Sequence, residues 1–530
     1  MNKNYLSTVS CSALAIFFMA CAGEKKEEVR KPNILFCIAD DAGYPHFGAY
    51  GTKWVNTPAF DRVAKEGLLF ERAYTCNAKS APSRASIITG RNSWQLEEAA
   101  NHWAMFPAKF KSYPEALSEN GYYVGTTGKG WGPGYAKDSI GQNRQLTGKV
   151  WNEIKLEPHT SGISNIDYAA NFKAFLANKP KDQPFCFWYG ALEPHRGYEY
   201  ASSLRAGKKT EDIDSVPAFW PDNEKVRTDM LDYALEVEHF DNHLEMILAA
   251  LEEAGELDNT IIVVTSDHGM PFPRGKAQEY DYSNHIPLAV MWKNGLKSPG
   301  RVIHDYVSLI DIAPTFLEIA GLSAEETGMH PVTGHSMLDL VRNAPEVDRS
   351  FALIGRERHD VGRPDDQSYP IRGLLRGDYL YLRNLKPERW PAGNPETGYM
   401  DVDASPTKTE VLQTRRNPAT AYFWQWSFGK RGAEELYNIA EDRDCIHNLV
   451  ENPAYSELRK KMESELMDRL REQKDPRIIG GGEVFDQYPH ASKQRLVWNR
   501  MKAGEKVPAP WIDESDYEPG ATGLEVTWEK

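Results

Sequence analysis

Asn33-Ile34-Leu35-Phe36-Cys37-Ile38-Ala39 is an unbroken apolar run that halts at the paired carboxylates Asp40-Asp41. A run that is apolar on both alternating faces belongs to a strand covered on both sides, the condition of a parallel sheet between helices. The arrangement recurs at Tyr122 to Thr127 ahead of Gly128-Lys129, at Phe185 to Tyr189 ahead of Glu193-Pro194-His195, and at Ile261 to Thr265 ahead of Asp267-His268-Gly269. Between the last two, Leu231, Leu235, Phe240, Leu244, Ile247 and Leu251 recur near helical spacing, which predicts a helix over about 228–254, closed by Gly255. Strands alternating with helices predict an α/β fold, a mostly parallel sheet sandwiched by helices. Ligands of such sheets bind beyond the carboxyl ends of the strands, and four polar clusters stand at four of those ends.

Outward from this core the character changes. Ile371 to Leu385 alternates, ELYNIAEDRD follows at Glu435 to Asp444, and Leu458, Met462, Leu466 and Leu470 space a helix near 455–473. These predict a smaller C-terminal subdomain, an antiparallel sheet packed by one helix. The expected division is a signal segment at 1–20, a charged spacer at 21–30, a catalytic domain at 31–360, the subdomain at 361–480, and a tail at 481–530 that wraps the body. At the N-terminus, Lys3 precedes an apolar Leu14 to Ala20, too short to span a bilayer, and Phe18-Met19-Ala20-Cys21 resembles a bacterial lipobox. Cys21 would carry the lipid of an exported lipoprotein, periplasmic or held at the outer membrane. An ordinary signal peptide cut nearby is the alternative.

With 41% hydrophobic and 26% charged residues among 530, the chain is neither disordered nor a polytopic membrane protein. Sixty-two basic against 76 acidic side chains leave a net charge of −14, which repels a nucleic-acid backbone. No nucleic-acid partner is expected. Past the signal segment and Cys21, the cysteines Cys37, Cys76, Cys186 and Cys445 are scattered without metal-ligand spacing and read as buried thiols.

The most specific stretch is Ser80-Ala81-Pro82-Ser83-Arg84, continuing to Thr89-Gly90-Arg91. Pro82 suits a first helical turn, which places Ser80 just before a helix N-terminus, where free N–H groups favour an anion. Arg84 lies one turn on. A nucleophile beside a fixed guanidinium suits attack on a sulfuryl or phosphoryl centre. SAPSRASIITGR resembles the signature of the sulfatase family, and the resemblance covers roughly residues 31–475.

That resemblance implies an alkaline-phosphatase-like fold and the oxidation of Ser80 to formylglycine (3-oxoalanine) by a radical-type maturing enzyme. It implies one divalent ion, calcium, held by Asp40, Asp41, Asp267, His268 and oxygens of the modified residue 80. Many relatives carry Asn where His268 stands. Arg84, Lys129, His195 in EPHR and Lys276 in PFPRGK match positions that grip the sulfate or protonate the leaving atom. One departure stands out: where the family has Lys, one residue, then His, the chain reads Lys129-Gly130-Trp131, and indole cannot accept a proton. His46 and His102 are candidates to replace that histidine.

EPHR, TSDHGMPFPRG and ELYNIAEDRD are similar to segments of the sulfamidase branch, which removes N-sulfate from glucosamine. The implied substrate is a terminal sulfated amino sugar of a glycosaminoglycan-type glycan, with 6-O- or 3-O-sulfated glucosamine as the alternative. From other classes come a di-zinc phosphohydrolase using unmodified Ser80, and an inactive glycan-binding lipoprotein whose tail tryptophans Trp498, Trp511 and Trp528 do the binding.

Overall fold

The computed structural model describes Met1 and residues 30–518, so the signal segment, Cys21 and Trp528 lie outside the described residues. Fourteen strands occur among the described residues: β1 (Asn33–Ala39), β2 (Leu68–Tyr74), β3 (Ala104–Phe106), β4 (Tyr123–Gly128), β5 (Gly134–Ala136), β6 (Lys149–Val150), β7 (Phe185–Gly190), β8 (Thr260–Ser266), β9 (Leu288–Met291), β10 (Arg301–Ser308), β11 (Phe351–Arg356), β12 (Ile371–Arg376), β13 (Tyr379–Asn384) and β14 (Glu434–Asn438). The large sheet runs β10-β2-β9-β8-β1-β7-β4-β6. All its neighbours pair in parallel except β9, which is antiparallel to both β2 and β8.

The reason β1 is apolar throughout is visible in where its side chains go. Ile34, Phe36 and Ile38 enter one core with Ile87, Ile88 and Phe316, while Leu35, Cys37 and Ala39 enter a second with Leu231, Phe240 and Leu244. Each fully buried aliphatic or aromatic side chain contributes about 1.5–3 kcal/mol. The Ser80–Thr89 helix therefore lies on one face and the Glu224–Glu253 helix on the other. The latter starts four residues before the expected position because Asn223 caps it, accepting a hydrogen bond from the Val226 amide.

The second sheet, β11-β12-β13-β14, is antiparallel throughout, and the Ser456–Glu472 helix covers it with Met462, Leu466 and Leu470. Its first strand, Phe351–Arg356, begins before residue 361, within the stretch read as catalytic domain. By contacts Lys31–Lys530 forms one unit. Among the described residues of the tail, Val497, Val507 and Ile512 pack on Val361 and Met400, the Trp511 indole donates to the Met400 carbonyl at 3.0 Å, and the Ala404 amide donates back to the Trp511 carbonyl at 2.8 Å. Lys408 and Asp516 pair at 3.0 Å with no exposure. Cys37, Cys76, Cys186 and Cys445 are buried free thiols. No described helix is long and apolar enough to cross a membrane.

Candidate active site

The carboxyl ends of β8, β1, β7 and β4 lie side by side, and they deliver Asp267-His268, Asp40-Asp41, His195 and Lys129 to one place. Asp41 holds φ at +77°, a left-handed conformation unusual outside glycine, and its amide donates to Asp267 Oδ1 at 3.1 Å. That bend turns the two adjacent carboxylates apart: Asp40 faces Arg84 and Lys129, and Asp41 faces His268 and Lys276. At Gly128 φ is +74°, and a Cβ there would sit 1.9 Å from the Gly190 carbonyl oxygen. Only glycine lets the Lys129 amide donate to that oxygen at 2.7 Å.

The buried helix carrying the signature starts at Ser80 itself, one residue earlier than expected, with extended Lys79 as its cap. Pro82 falls in the first turn, where its missing N–H leaves no hydrogen bond unmade. Ser80 Oγ donates to Asp40 Oδ1 at 3.0 Å and lies 3.3 Å from His268 Nε2. Arg84 has no exposure. Its guanidinium donates to Asp267 Oδ2 at 2.8 Å, to Asp40 Oδ1 at 3.2 Å, and to the Lys129 and Gly130 carbonyls at 2.9 Å each. Lys129 Nζ bridges both oxygens of Asp40 at 2.7 and 2.6 Å.

Lys276 is the second hub. Its ammonium reaches Asp41 Oδ2 at 2.7 Å, Asp403 Oδ2 at 2.6 Å and His195 Nε2 at 3.2 Å. Burial alone would lower the Lys276 pKa, but the carboxylates of Asp403 and Asp41 outweigh it and hold the lysine charged. Burial likewise pushes Asp41 up, and Lys276, His268 and His195 overcome this and hold it well below the usual carboxylate range. Asp267 and Asp403 are also pushed up by burial and end below that range, the first chiefly through Arg84 and the second through Lys276.

Ligand atoms of Asp41, Asp267 and His268 all lie within 4.8 Å of one another, and all three residues are buried. The donor set of ionised carboxylates and one imidazole fits a divalent cation. The charge count fits as well. Asp40, Asp41, Asp267, Asp360 and Asp403 stand against Arg84, Lys79, Lys129 and Lys276 as fixed cations, so the cluster is one positive charge short before any anion arrives, and a divalent ion reverses that sign.

Asp40, Ser80, Lys129, His195, Lys276 and Asp403 line a cavity of about 830 Å³, with Asp41, Arg84, Asp267 and His268 buried behind them. Trp131 lines it, its indole tied to the Ala81 carbonyl at 3.1 Å and its ring edge-to-face on Phe106. His102 lines it too, and burial, with Lys79 next, keeps that imidazole neutral. His46 is not among the lining residues: it packs on Trp54 and sits 3.3 Å from the Tyr233 hydroxyl. Sequence reasoning missed Lys79, Trp103, Asp360 and Asp403, all of which line the cavity. Lys79 directly precedes the signature, but the others come from loops without periodicity. Of the tail tryptophans, Trp511 lines the cavity and Trp498 does not.

The family model described as Sulfatase matches residues 32–322. An ulvan-active sulfatase of Formosa agariphila is 26% identical over 501 residues, covering 90% of each chain. The human N-sulphoglucosamine sulphohydrolase is 26% identical over 511 residues, covering 90% of this chain and 96% of the relative. A solved structure in complex with its substrate D-glucosamine-2-N,6-O-disulfate superposes with a TM-score of 0.59 at 19% identity, covering 84% of this chain and 98% of that one.

Proposed function

The chain belongs to the sulfatase family and is a sulfuric ester hydrolase of sulfated sugars, and from that premise we propose that it removes the N-sulfate of a terminal glucosamine in a glycosaminoglycan-type glycan. The observation that carries this reading is the nearly end-to-end likeness to the human N-sulphoglucosamine sulphohydrolase, 96% of whose length is matched. A second reading, hydrolysis of a 6-O- or 3-O-sulfate, is favoured by the 27% identity over 414 residues to an N-acetylglucosamine-6-O-sulfatase of Bacteroides thetaiotaomicron and by the disulfated sugar held in the similar structure.

Asp40, Asp41, Asp267 and His268, with residue 80, would hold one calcium ion, and Ser80 would be matured to formylglycine by a radical-type enzyme. When present, the ion supplies Lewis-acid charge and the hydrated aldehyde supplies the nucleophilic oxygen. The chain's own groups do the rest. Arg84 braces Asp267 and Asp40 beside residue 80, and its charge holds Asp267 ionised. Lys129 and Lys276 present ammonium groups to the sulfuryl oxygens, where charge develops in the transition state. His195 points Nδ1 at the Arg196 carbonyl, 2.7 Å away, which leaves Nε2 facing the cavity to protonate the departing nitrogen or oxygen. The Lys276 ammonium, 3.2 Å from that Nε2, fixes the orientation of the ring. His102 is the cavity imidazole that takes the place of the histidine replaced by Trp131. Cys21 would anchor the exported protein through lipid.

Sulfate release from glucosamine sulfated at N, 3-O or 6-O, each assayed with matured enzyme, tests the reading. Release from the N-sulfate is expected. Release from the O-sulfates alone would replace it with the second reading, and release only from a galactose sulfate would overturn both. Peptide mass spectrometry should find residue 80 lighter by two hydrogens, and plain serine in active material would overturn the maturation.

A further inference from the structure

Three loops meet at the Lys276 ammonium. Lys276 comes from the loop after β8, His195 from the loop after β7, and Asp403 from the stretch between β13 and β14. Asp41 is fixed at the end of β1, but these three groups stand beyond the reach of strand register. The distances among them, 3.2 Å from Lys276 Nζ to His195 Nε2 and 2.6 Å to Asp403 Oδ2, are set by whatever joins the loops.

All three loops are tied to one carboxylate. Asp229 lies on the Glu224–Glu253 helix, 1% exposed, and is not among the residues that line the catalytic cavity. Its Oδ1 and Oδ2 accept from the two terminal nitrogens of Arg196 at 2.7 and 2.8 Å, so the residue next to His195 is held in a fork. Arg196 passes that hold to the lysine loop: Nε donates to the Pro271 carbonyl at 2.7 Å, and the guanidinium lies 4.2 Å from the Phe272 ring centroid. The Phe272 carbonyl in turn accepts from the Lys276 amide at 2.8 Å. Asp229 Oδ2 also accepts from the Thr407 hydroxyl at 2.6 Å and from the Thr407 amide at 3.2 Å. Thr407 stands in the first turn of the Pro406–Thr414 helix, where free N–H groups and the helix dipole favour a carboxylate. Asp403 precedes that helix by three residues. The Glu224–Glu253 helix is capped by Asn223, so Asp229 is not needed to start it.

We propose that Asp229 is a positioning residue of the reaction. Away from the cavity, it sets the His195, Lys276 and Asp403 loops against one another, so that the ammonium meets the imidazole and the carboxylate at hydrogen-bonding distance. The task needs both oxygens, because a guanidinium fork and a helix end must be held at once. An amide at 229 offers one oxygen in place of two and turns N–H groups toward donors.

This role rests on the proposed function, which gives His195 and Lys276 their tasks, and the unaltered matured enzyme separates the two. Sulfate release is followed on whichever of the N-, 3-O- and 6-O-sulfated glucosamines it turns over. Asp229→Asn should lower kcat per folded molecule about 10²-fold while KM moves by no more than about threefold. Thr407→Val keeps the Arg196 fork and removes a single hydrogen bond, and it should lower kcat about fivefold. In an Asp403→Asn background the same substitution should have no further effect, because Thr407 acts through Asp403. A purely structural Asp229 would shift the unfolding midpoint and leave kcat per folded molecule unchanged, and that result sinks the positioning role. Losses from Thr407→Val and Asp403→Asn that multiply in the double variant sink it as well. Should Asp229→Asn fail to fold, the Thr407→Val measurements decide alone. An unaltered enzyme that releases sulfate from none of the three sugars would overturn the proposed function, and this role with it.

Discussion

Two of the buried charge networks among the described residues are built from different cations. Around β11 and β12, Arg372 donates to Asp475 at 2.6 and 3.1 Å and to Glu357 at 2.7 Å, Arg477 joins Glu357 at 2.8 Å, and Arg356 and Arg363 close on Asp401. Every cation there is a guanidinium, whose planar fork fixes two directions at once and whose proton never leaves. At the ends of β1 and β8 only Arg84 is of that kind. The cations that face the cavity with no bidentate partner are lysines, with histidines beside them, while Arg196 in the wall is forked onto Asp229. A lysine is a single point charge on a flexible stem, able to shift from Asp40 or Asp41 to an incoming sulfate, and a histidine can pass a proton. The first network holds shape and the second is free to work.

The largest effect expected is from Ser80→Ala, which should cost at least ~10⁴-fold in sulfate release, as nucleophile removal does elsewhere, with little change in thermal stability. Substantial remaining turnover would erase the working half of the contrast. Lys276→Ala should lower kcat/KM by about 10²–10³-fold, the scale of losing one transition-state donor. It should also destabilise by about 3–5 kcal/mol, because Asp41 and Asp403 are left buried without their cation. Denaturant unfolding beside sulfate-release kinetics separates the two losses. Asp475→Asn strips Arg372 of its bidentate partner and should cost about 3–5 kcal/mol in unfolding while turnover per folded molecule holds. A fall in turnover there would break the division between shape and work.

The smallest effect sharpens the contrast through pH. Glu279 lies between Arg356 and Arg372, and burial pushes its carboxyl up to about 8, against the partial opposition of Arg356 and a hydrogen bond from Asn284. Its folded pKa exceeds the unfolded value of ~4.3, so its stabilising contribution is complete below that value and is lost as pH rises toward 8. Glu279→Gln should flatten the pH dependence of unfolding across that window. An unchanged slope would mean that Glu279 is ionised in the fold.

Much of this was legible in the sequence, for physical reasons that differ by element. β1, β7 and the Ile261–Val264 run of β8 are apolar on both faces, and such runs can only be buried strands or buried helices, with length and the polar stop choosing between them. Leu288–Met291 is not singled out by its sequence, being only four residues long, and since periodicity carries no direction its antiparallel insertion between β2 and β8 is invisible until the chain is traced. The residues at the strand ends were legible because each strand carries its own cluster to the same edge. Asp403 was not. It sits in a loop whose sequence, Met400 to Ser405, has no repeat, and its meeting with Lys276 depends on the tail holding that loop in place.

Gln494, Pro510 and Trp511 complete a cavity wall whose floor begins at Asp40 and Ser80. A chain made from its N-terminus folds its early elements first. The Ser80–Thr89 helix and its strand neighbours therefore leave the ribosome long before their roof exists, and the pocket stays unfinished until late in synthesis. That delay leaves an interval during which residue 80, only 3% exposed in the finished fold, would be open to the proposed maturing enzyme.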